Sequence, residues 1–215
     1  DGHDAVERIL AAGVPCVVVD RDLGEMPVDQ VLVDNIQGGY LAGQHLLALG
    51  HRRIGCLVGP SDVTPSAGRF EGFRRALAEA GVAIEPAFLA RGDGRPDGGV
   101  AAVRQFLEQG MPATAIFAFN DQMATGAIGA LQRAGLRVPR DVSVVGFDDV
   151  PLAAAIYPAL TTIAQPAAEM GSLGVRLLLE RISRRDAAYQ RVLLPTHLVV
   201  RESTASPAAR SDASA

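Results

Sequence analysis

Five aspartates stand where short apolar runs end: Asp20, Asp34, Asp93, Asp121 and Asp148. Carboxylates at the ends of buried strands can cap the helices that follow, accept hydrogen bonds from ligand hydroxyls, or move protons. A carboxylate beside a helix N-terminus is worth about 0.3–1 kcal/mol. Capping fits Asp34, Asp93 and Asp121, each of which leads into a helical pattern. It fits Asp148 poorly, because no clean helix starts after VSVVGFDD. Hydroxyl recognition suits Asp148 better, since an ionised carboxylate accepts charge-assisted bonds about twice as strong as neutral ones. Several carboxylates in one cleft repel unless a cation joins them, and Arg69, just after the loop GPSDVTPSAG, supplies one. Asn120 offers a donor and an acceptor on one amide, which suits sugar hydroxyls. The plainer alternatives are a surface ion pair for Arg69 and local turn bonding for Asn120. Asp149 reads as a cap or brace for the turn into Pro151, not as a ligand contact.

Catalytic readings find less support. The nucleophile elbow G-x-S-x-G is absent, and its nearest match, Thr64-Pro-Ser-Ala-Gly68, lacks the first glycine. No G-x-G-x-x-G follows a strand, there is no P-loop, and His3, His45, His51 and His197 show no metal spacing. The chain reads as a binding protein and not an enzyme, with no cofactor and no metal. Acid–base work by Asp20 and Asp148 stays open at the level of residues alone.

The elements that position these residues follow one rhythm. A β-branched run, a polar turn, a helical pattern and a glycine succeed one another from Pro15–Asp20 to Val142–Asp149. Phe70, Phe73 and Leu77 share a helical stripe, as do Val100, Val103 and Leu107, and Met123, Ala127, Leu131 and Ala134. Gly50, Gly81, Gly110 and Gly135 close four helices. The strands are continuously apolar, so they are expected to be buried on both faces. Strand and helix alternating in this way predict βαβ units and a parallel sheet covered on both sides. In such sheets ligands bind outside the carboxyl ends of the strands, where the aspartates fall. After Asp149 the segment PLAAAIYPALTTIAQP is irregular, then a helix runs from about Ala167 to Arg184, and RVLLPTHLVVRES forms a last strand. The Ala/Ser/Pro-rich tail from Thr204 is expected to be disordered.

Composition narrows the possible functions. Of 215 residues 48 % are hydrophobic and 20 % charged, which is ordinary for a globular chain with a proper core. The net charge of −4 gives no basic surface to hold nucleic acid unaided. No apolar run is long enough to span a bilayer, and DGHDAVERIL lacks the layout of a secretory signal. Cys16 and Cys56 lie inside apolar runs and read as small buried hydrophobes.

The stretches GVPCVVVDR, VDNIQGGYLAGQHLLALGHRRIG, GRFEGFRRAL, TAIFAFNDQMATGAIGALQRAGLRVPRDVSVVGFDD, PALTTIAQP and LVVREST, in this order and spacing, resemble the effector-binding domain of LacI/GalR-type transcriptional regulators. The resemblance runs from about Val14 to Ser203. It implies an α/β fold of two parallel-sheet, Rossmann-like subdomains joined by three crossovers, of the periplasmic binding protein type I kind, with a small ligand between them. The N-subdomain is expected at residues 1–36 and 166–187, the C-subdomain at 37–165 and 188–203, and the tail at 204–215. Carried over residue by residue, the family's ligand positions fall on Asp20, Arg21, Arg69, Asn120, Asp148 and Gln165.

Two departures bear on the ligand. Some family members carry a basic residue or hydroxyl in the loop before the arginine, where this chain has Val63 and Pro65. Some carry an aromatic after the third C-subdomain strand, where this chain reads GDGRPDG, and Phe119 is the substitute stacking face. Both point away from a purine and toward a sugar. The resemblance further implies a cytoplasmic regulator, a homodimer, a small-molecule effector and operator DNA contacted only through an N-terminal headpiece not found in this sequence. The headpiece, the hinge helix and the opening strands of the N-subdomain are expected to be missing. An exported sugar-binding protein of a transport system shares the two-lobed fold and is the alternative, with a sugar-modifying enzyme behind it.

Overall fold

The computed structural model describes residues 2–60 and 64–208. The chain forms two compact units. The smaller takes the residues up to Asp34 and Pro166–Thr196, the larger Asn35–Gln165 and the segment from His197. In chain order the smaller unit begins with α1 (Gly2–Ala11), β1 (Val17–Val19) and β2 (Asp29–Val33). The larger unit continues with α2 (Asn35–Ala48), β3 (Ile54–Val58), α3 (Thr64–Glu79), a 3-10 turn at Pro86–Phe88, and β4 (Leu89–Arg91). Next come α4 (Pro96–Glu108), β5 (Ala115–Ala118), α5 (Asp121–Arg133), β6 (Ser143–Asp148), α6 (Pro151–Ala155) and β7 (Thr161–Ala164). The chain returns to the smaller unit for α7 (Ala167–Ser183) and β8 (Arg191–Leu194) and ends in the larger with β9 (His197–Val199). It therefore passes between the units three times, as the resemblance implies.

The larger sheet runs β4-β3-β5-β6-β7-β9 and is parallel except for β9 on β7. Every residue of β5 is buried, which is why its sequence does not alternate. Ile116 and Ala118 join one core cluster with Val103, Phe106 and Leu131, while Ala115 and Phe117 join the other with Leu46, Phe73 and Leu77. Burying a single Phe or Leu side chain stabilises by about 1.5–3 kcal/mol. The predicted stripes supply these clusters, although Ala134 lies past the last turn of α5 and is exposed. The smaller sheet, β1-β2-β8, is parallel throughout and packs Val31, Val33 and Leu194 against Met170 and Leu177 of α7.

Gly50, Gly81, Gly110 and Gly135 all have positive φ (97, 69, 76 and 80°). After each, the next N–H reaches back to close the helix, for example Leu136 N–H to Leu131 O at 3.0 Å. Two other glycines set the crossing of α2 and α3. A Cβ on Gly39 would lie 1.9 Å from the Arg69 carbonyl oxygen, and one on Gly72 would lie 1.8 Å from that of Ile36. The two backbones are thus in contact, and Asn35 at the start of α2 is carried next to Arg69.

The structure corrects several sequence expectations. RVLLPTHLVVRES is not one strand: Pro195 interrupts it, β8 pairs with β2, and β9 pairs with β7 in the other sheet. Residues 188–196, expected in the C-subdomain, thus belong to the smaller unit, and Asn35 and Ile36, expected in the N-subdomain, begin α2 of the larger. The segment after Asp149 holds a short helix, α6, with Pro151 in its first turn. The tail is anchored at its start: Thr204 Oγ1 bonds His45 Nε2 at 3.0 Å, and the Ala205 carbonyl accepts from His51 Nε2 at 2.9 Å and from Ser143 Oγ at 3.0 Å. Residues 209–215 of that tail, and Val63, lie outside the described residues. Cys56 is buried and free, and burial pushes its thiol pKa far up. Cys16, expected to be buried as well, is partly exposed.

Candidate functional site

Parallel pairing aligns the carboxyl ends of β3, β5 and β6, with Leu57 opposite Ala118 and Phe117 opposite Val145. Side chains just past those ends therefore converge. The hub is Arg69, whose side chain is only 3 % exposed. Its Nε donates to Asn35 Oδ1 at 2.8 Å, and its Nη1 donates to the Phe119 carbonyl at 2.8 Å and lies 3.1 Å from Asp148 Oδ1. The guanidinium carbon sits 3.7 Å from the centroid of the Phe147 ring and 4.8 Å from that of Phe119. A cation this buried must be paired and hydrogen-bonded. The planar guanidinium can stack and donate at once, which an ammonium cannot. The surface ion pair entertained for Arg69 is thereby excluded.

Asp148 also accepts from Gln165 Nε2 at 2.5 Å. Burial raises its pKa above the ordinary carboxylate value, while the charge of Arg69 and the bond from Gln165 pull it back. Its backbone is unusual. Asp148 has φ 117° and Asp149 φ 57°, a left-handed region that costs a non-glycine residue about 1–3 kcal/mol. Asp149 pairs with Arg201 at 2.6 Å, and Arg201 also donates to the Leu160 carbonyl at 2.8 Å. Asp149 is thus a brace and not a cap, since Val150 stands at the N-cap of α6 and makes no side-chain cap bond.

Gln165 presents an orphan group. Its Oε1 is buried with no hydrogen-bond partner among the described residues. The amide cannot be turned over without setting oxygen against the Asp148 carboxylate. Asn120 caps α5, its Oδ1 accepting from Met123 N–H at 2.8 Å while its Nδ2 donates to the Gly94 carbonyl at 2.9 Å. One proton and one lone pair of that amide remain for a ligand. The Phe119 ring is packed against Gly59, where a Cβ would come within 2.6 Å of it, and Arg69 lies over its face.

Of the seven residues expected at the site, the larger unit thus gathers Arg69, Phe119, Asn120, Asp148 and Gln165. Asp20 and Arg21 follow β1 in the smaller unit, Asp20 with φ 64° and its N–H bonded to the Val31 carbonyl at 2.9 Å.

Three contributors had not been singled out for the site. Asn35 and Phe147 hold Arg69. Asp121, expected to be a helix cap, is not one, because Asn120 takes that place. Asp121 is 1 % exposed and accepts from Thr162 Oγ1 at 2.6 Å and from Val150 N–H at 2.9 Å. Burial pushes its pKa up to about 6 against the lowering effect of those two bonds. Two cap-competent residues in succession, Asn120-Asp121, were the available signal, since a helix has a single N-cap. Asp93 is not the cap of α4 either. Arg95 occupies that place, and Asp93 Oδ1 accepts the Arg95 N–H at 2.9 Å.

Among the described residues no three His, Cys, Asp or Glu stand close enough to hold a metal ion. No described helix is long and apolar enough to cross a membrane.

A parallel α/β unit with hydrogen-bonding groups gathered at the carboxyl edge of its sheet has the layout at which such folds bind small molecules. Comparisons with known proteins make this specific. Residues 44–204 match the family described as periplasmic binding protein-like domain. The HTH-type transcriptional regulator DegA of Bacillus subtilis is 39 % identical over 204 residues, 95 % of this chain and 60 % of that protein. The HTH-type transcriptional regulator CelR of Thermobifida fusca is 42 % identical over 89 % of this chain and 57 % of its own length. The structure of a CelR–cellobiose complex superposes with a TM-score of 0.87 at 41 % identity, covering 92 % of this chain and 61 % of that one. A LacI family transcriptional regulator from Enterococcus faecium with bound ribose gives 0.85 at 36 % identity, covering 94 % and 75 %. The chain belongs to the periplasmic binding protein-like domain family, in the form carried by LacI-family regulators. It spans about 60 % of the length of the curated relatives it matches.

Proposed function

We propose that this chain is the effector-sensing part of a LacI-family transcriptional regulator, a repressor, and that its effector is a sugar or sugar derivative. One observation carries the reading: Arg69, Asp148 and Gln165 form a bonded chain that ends in the buried, unpartnered Gln165 Oε1. Buried acceptors are almost always paired. A ligand hydroxyl donating to Gln165 Oε1 and a second donating to Asp148 would complete the set, and vicinal hydroxyls have that geometry. The sugars bound in the CelR and Enterococcus structures support the same ligand class. Asn120 contributes its remaining donor and acceptor, and Phe119 bounds the site through its carbonyl-anchored turn. For Asp20 and Arg21 the ligand role rests on the family resemblance alone.

In this reading the effector binds one conformation of the protein more tightly than another and shifts the population toward it. Occupancy and operator binding are then reciprocally coupled in the whole protein. The relatives are regulators and not enzymes, and a cytoplasmic homodimer is the matching expectation for the whole protein. The test is calorimetry against a panel of unmodified sugars that includes cellobiose and ribose, followed by gel-shift assays on the whole protein. At least one sugar is expected to bind wild type, to be recovered unchanged, and to bind at least tenfold more weakly to Asp148→Ala and to Arg69→Ala. A sugar that binds all three alike would overturn the site. A sugar whose binding leaves operator affinity unchanged would overturn its role as effector.

A further inference from the structure

Asp121 meets three other parts of the larger unit through one carboxylate. It stands in the first turn of α5, immediately after the Asn120 cap. From β7, Thr162 Oγ1 donates to its Oδ1 at 2.6 Å. From the turn after β6, Val150 N–H donates to its Oδ2 at 2.9 Å. From β6 itself, Gly146 leaves it room, because a Cβ there would come within 2.3 Å of Oδ1. The residue is 1 % exposed and lies beside the turn that carries Asp148, bonded to its Val150 N–H. Keeping an ionisable group in such a place is costly, and burial pushes its pKa up to about 6, with Asp148 and Asp149 adding to the rise. An aliphatic residue would fill the space without that cost but would leave the Val150 N–H and the Thr162 hydroxyl without this acceptor.

The turn needs an anchor. Asp148 and Asp149 are consecutive non-glycine residues at φ 117° and 57°, and neither relaxes to ordinary backbone while its neighbours hold. Arg69 and Gln165 hold the Asp148 side chain and Arg201 holds that of Asp149. Just beyond them the Val150 N–H is held by Asp121, while the Val150 carbonyl accepts from Ala153 N–H at 2.8 Å.

We propose that Asp121 is a positioning residue for ligand recognition: by accepting the Val150 N–H and the Thr162 hydroxyl, it locks the Asp148–Val150 turn in the left-handed form that presents the Asp148 carboxylate. The ligand half of this statement rests on the reading of Asp148 as a sugar contact, whereas the locking of the turn does not.

The experiment compares wild type, Asp121→Asn, Asp121→Ala and Thr162→Ser, with Asp148→Ala as a control. Three quantities are read: amide hydrogen exchange at Asp149 and Val150 in the ligand-free protein, the Kd for whichever of cellobiose and ribose binds wild type, and Tm. Asp121→Ala is expected to speed exchange at Val150 at least tenfold and to raise Kd at least tenfold. Asp121→Asn, which keeps an acceptor for one of the two donors, is expected to recover part of both, and Thr162→Ser to stay within about twofold of wild type. A residue that only supports the fold would lower Tm and leave exchange at Val150 moving in step with the rest of β6. Unchanged Val150 exchange in folded Asp121→Asn and Asp121→Ala overturns the proposal. If Asp148→Ala binds sugar as wild type does while Val150 exchange rises in the Asp121 variants, the sugar-contact reading fails and the lock stands.

Discussion

The Arg69 Nη1 that lies 3.1 Å from Asp148 Oδ1 also donates to the Phe119 carbonyl at 2.8 Å, so one nitrogen ties the end of β6 to the end of β5. The pair is deeply placed, with side chains 3 % and 25 % exposed. Deleting one partner of a buried pair costs about 3–5 kcal/mol, because the other is left uncompensated. Arg69→Ala is therefore expected to lower the unfolding free energy by about 3 kcal/mol. Arg69→Lys keeps the charge but loses the stacking on Phe147 and the bond to Asn35, and should recover less than half. Urea titration measures both, with the m-value held as the check on two-state behaviour. In the double variant with Asp148→Ala the loss should be smaller than the sum of the single losses.

Stability should also report Asp121 directly. Its carboxyl is raised from an ordinary 3.8 to about 6 in the folded protein. Between those values the native state holds a proton that the unfolded chain has released. Stability from this group is therefore full below about pH 4, falls as pH rises toward 6 and is level above that. The difference between the two pKa values amounts to about 3 kcal/mol. Chemical denaturation of wild type and Asp121→Asn from pH 4 to 7 isolates the effect. The difference curve is expected to slope only in that window, and parallel curves would contradict a raised pKa.

Much of this arrangement is legible in the sequence. Strand identity follows from unbroken β-branched runs such as VSVV, and helix ends follow from Gly50, Gly81, Gly110 and Gly135. The gathering of Arg69, Asn120 and Asp148 follows once the strands are parallel, since parallel pairing places all their carboxyl ends at one edge. The partition of RVLLPTHLVVRES between two sheets was not legible, because Pro195 marks a break without saying where either half goes. The burial of Asp121 was hidden for a similar reason. Its two donors, Val150 and Thr162, lie 29 and 41 residues away, and no local pattern encodes such pairs.

The close crossing of α2 and α3 predicts a sensitive position outside the polar cluster. A Cβ on Gly72 would lie 1.8 Å from the Ile36 carbonyl oxygen and 2.8 Å from the Tyr40 nitrogen, both backbone atoms that cannot swing aside. Gly72→Ala must push the helices apart and move Asn35 relative to Arg69. Overpacking of this kind costs about 1–3 kcal/mol. The expected result is a lower Tm together with weaker ligand binding, although the residue touches no ligand. Gly171→Ala, with nothing within 4 Å of the added Cβ, is the matched control and should hold or raise Tm.

In the smaller unit the corresponding dependence is on Arg181. Its Nε and Nη2 meet the two Asp29 oxygens at 2.8 and 3.0 Å, and Asp29 also accepts the Gln190 N–H at 2.8 Å. The same guanidinium donates to the carbonyls of Arg185, Ala187 and Ala188 and lies 4.3 Å from the Tyr189 ring centroid. One side chain near the end of α7 thereby fixes both the start of β2 and the loop that leads into β8. Lysine has neither the fork nor the plane to replace it. Arg181→Met should lose about 3–5 kcal/mol and Arg181→Lys, which keeps the charge but not the fork, somewhat less, and in both trypsin should cut sooner at Arg184 and Arg185. Replacing both partners by apolar residues, Asp29→Leu with Arg181→Met, removes the buried charge altogether. It should therefore cost less than Arg181→Met alone. The loop carbonyls still lose their donor in that double variant, so rapid cleavage at Arg184 and Arg185 is expected to persist even where stability is partly regained. Cleavage that slowed in step with the recovered stability would show that the ion pair, and not the carbonyl bonds, holds the loop.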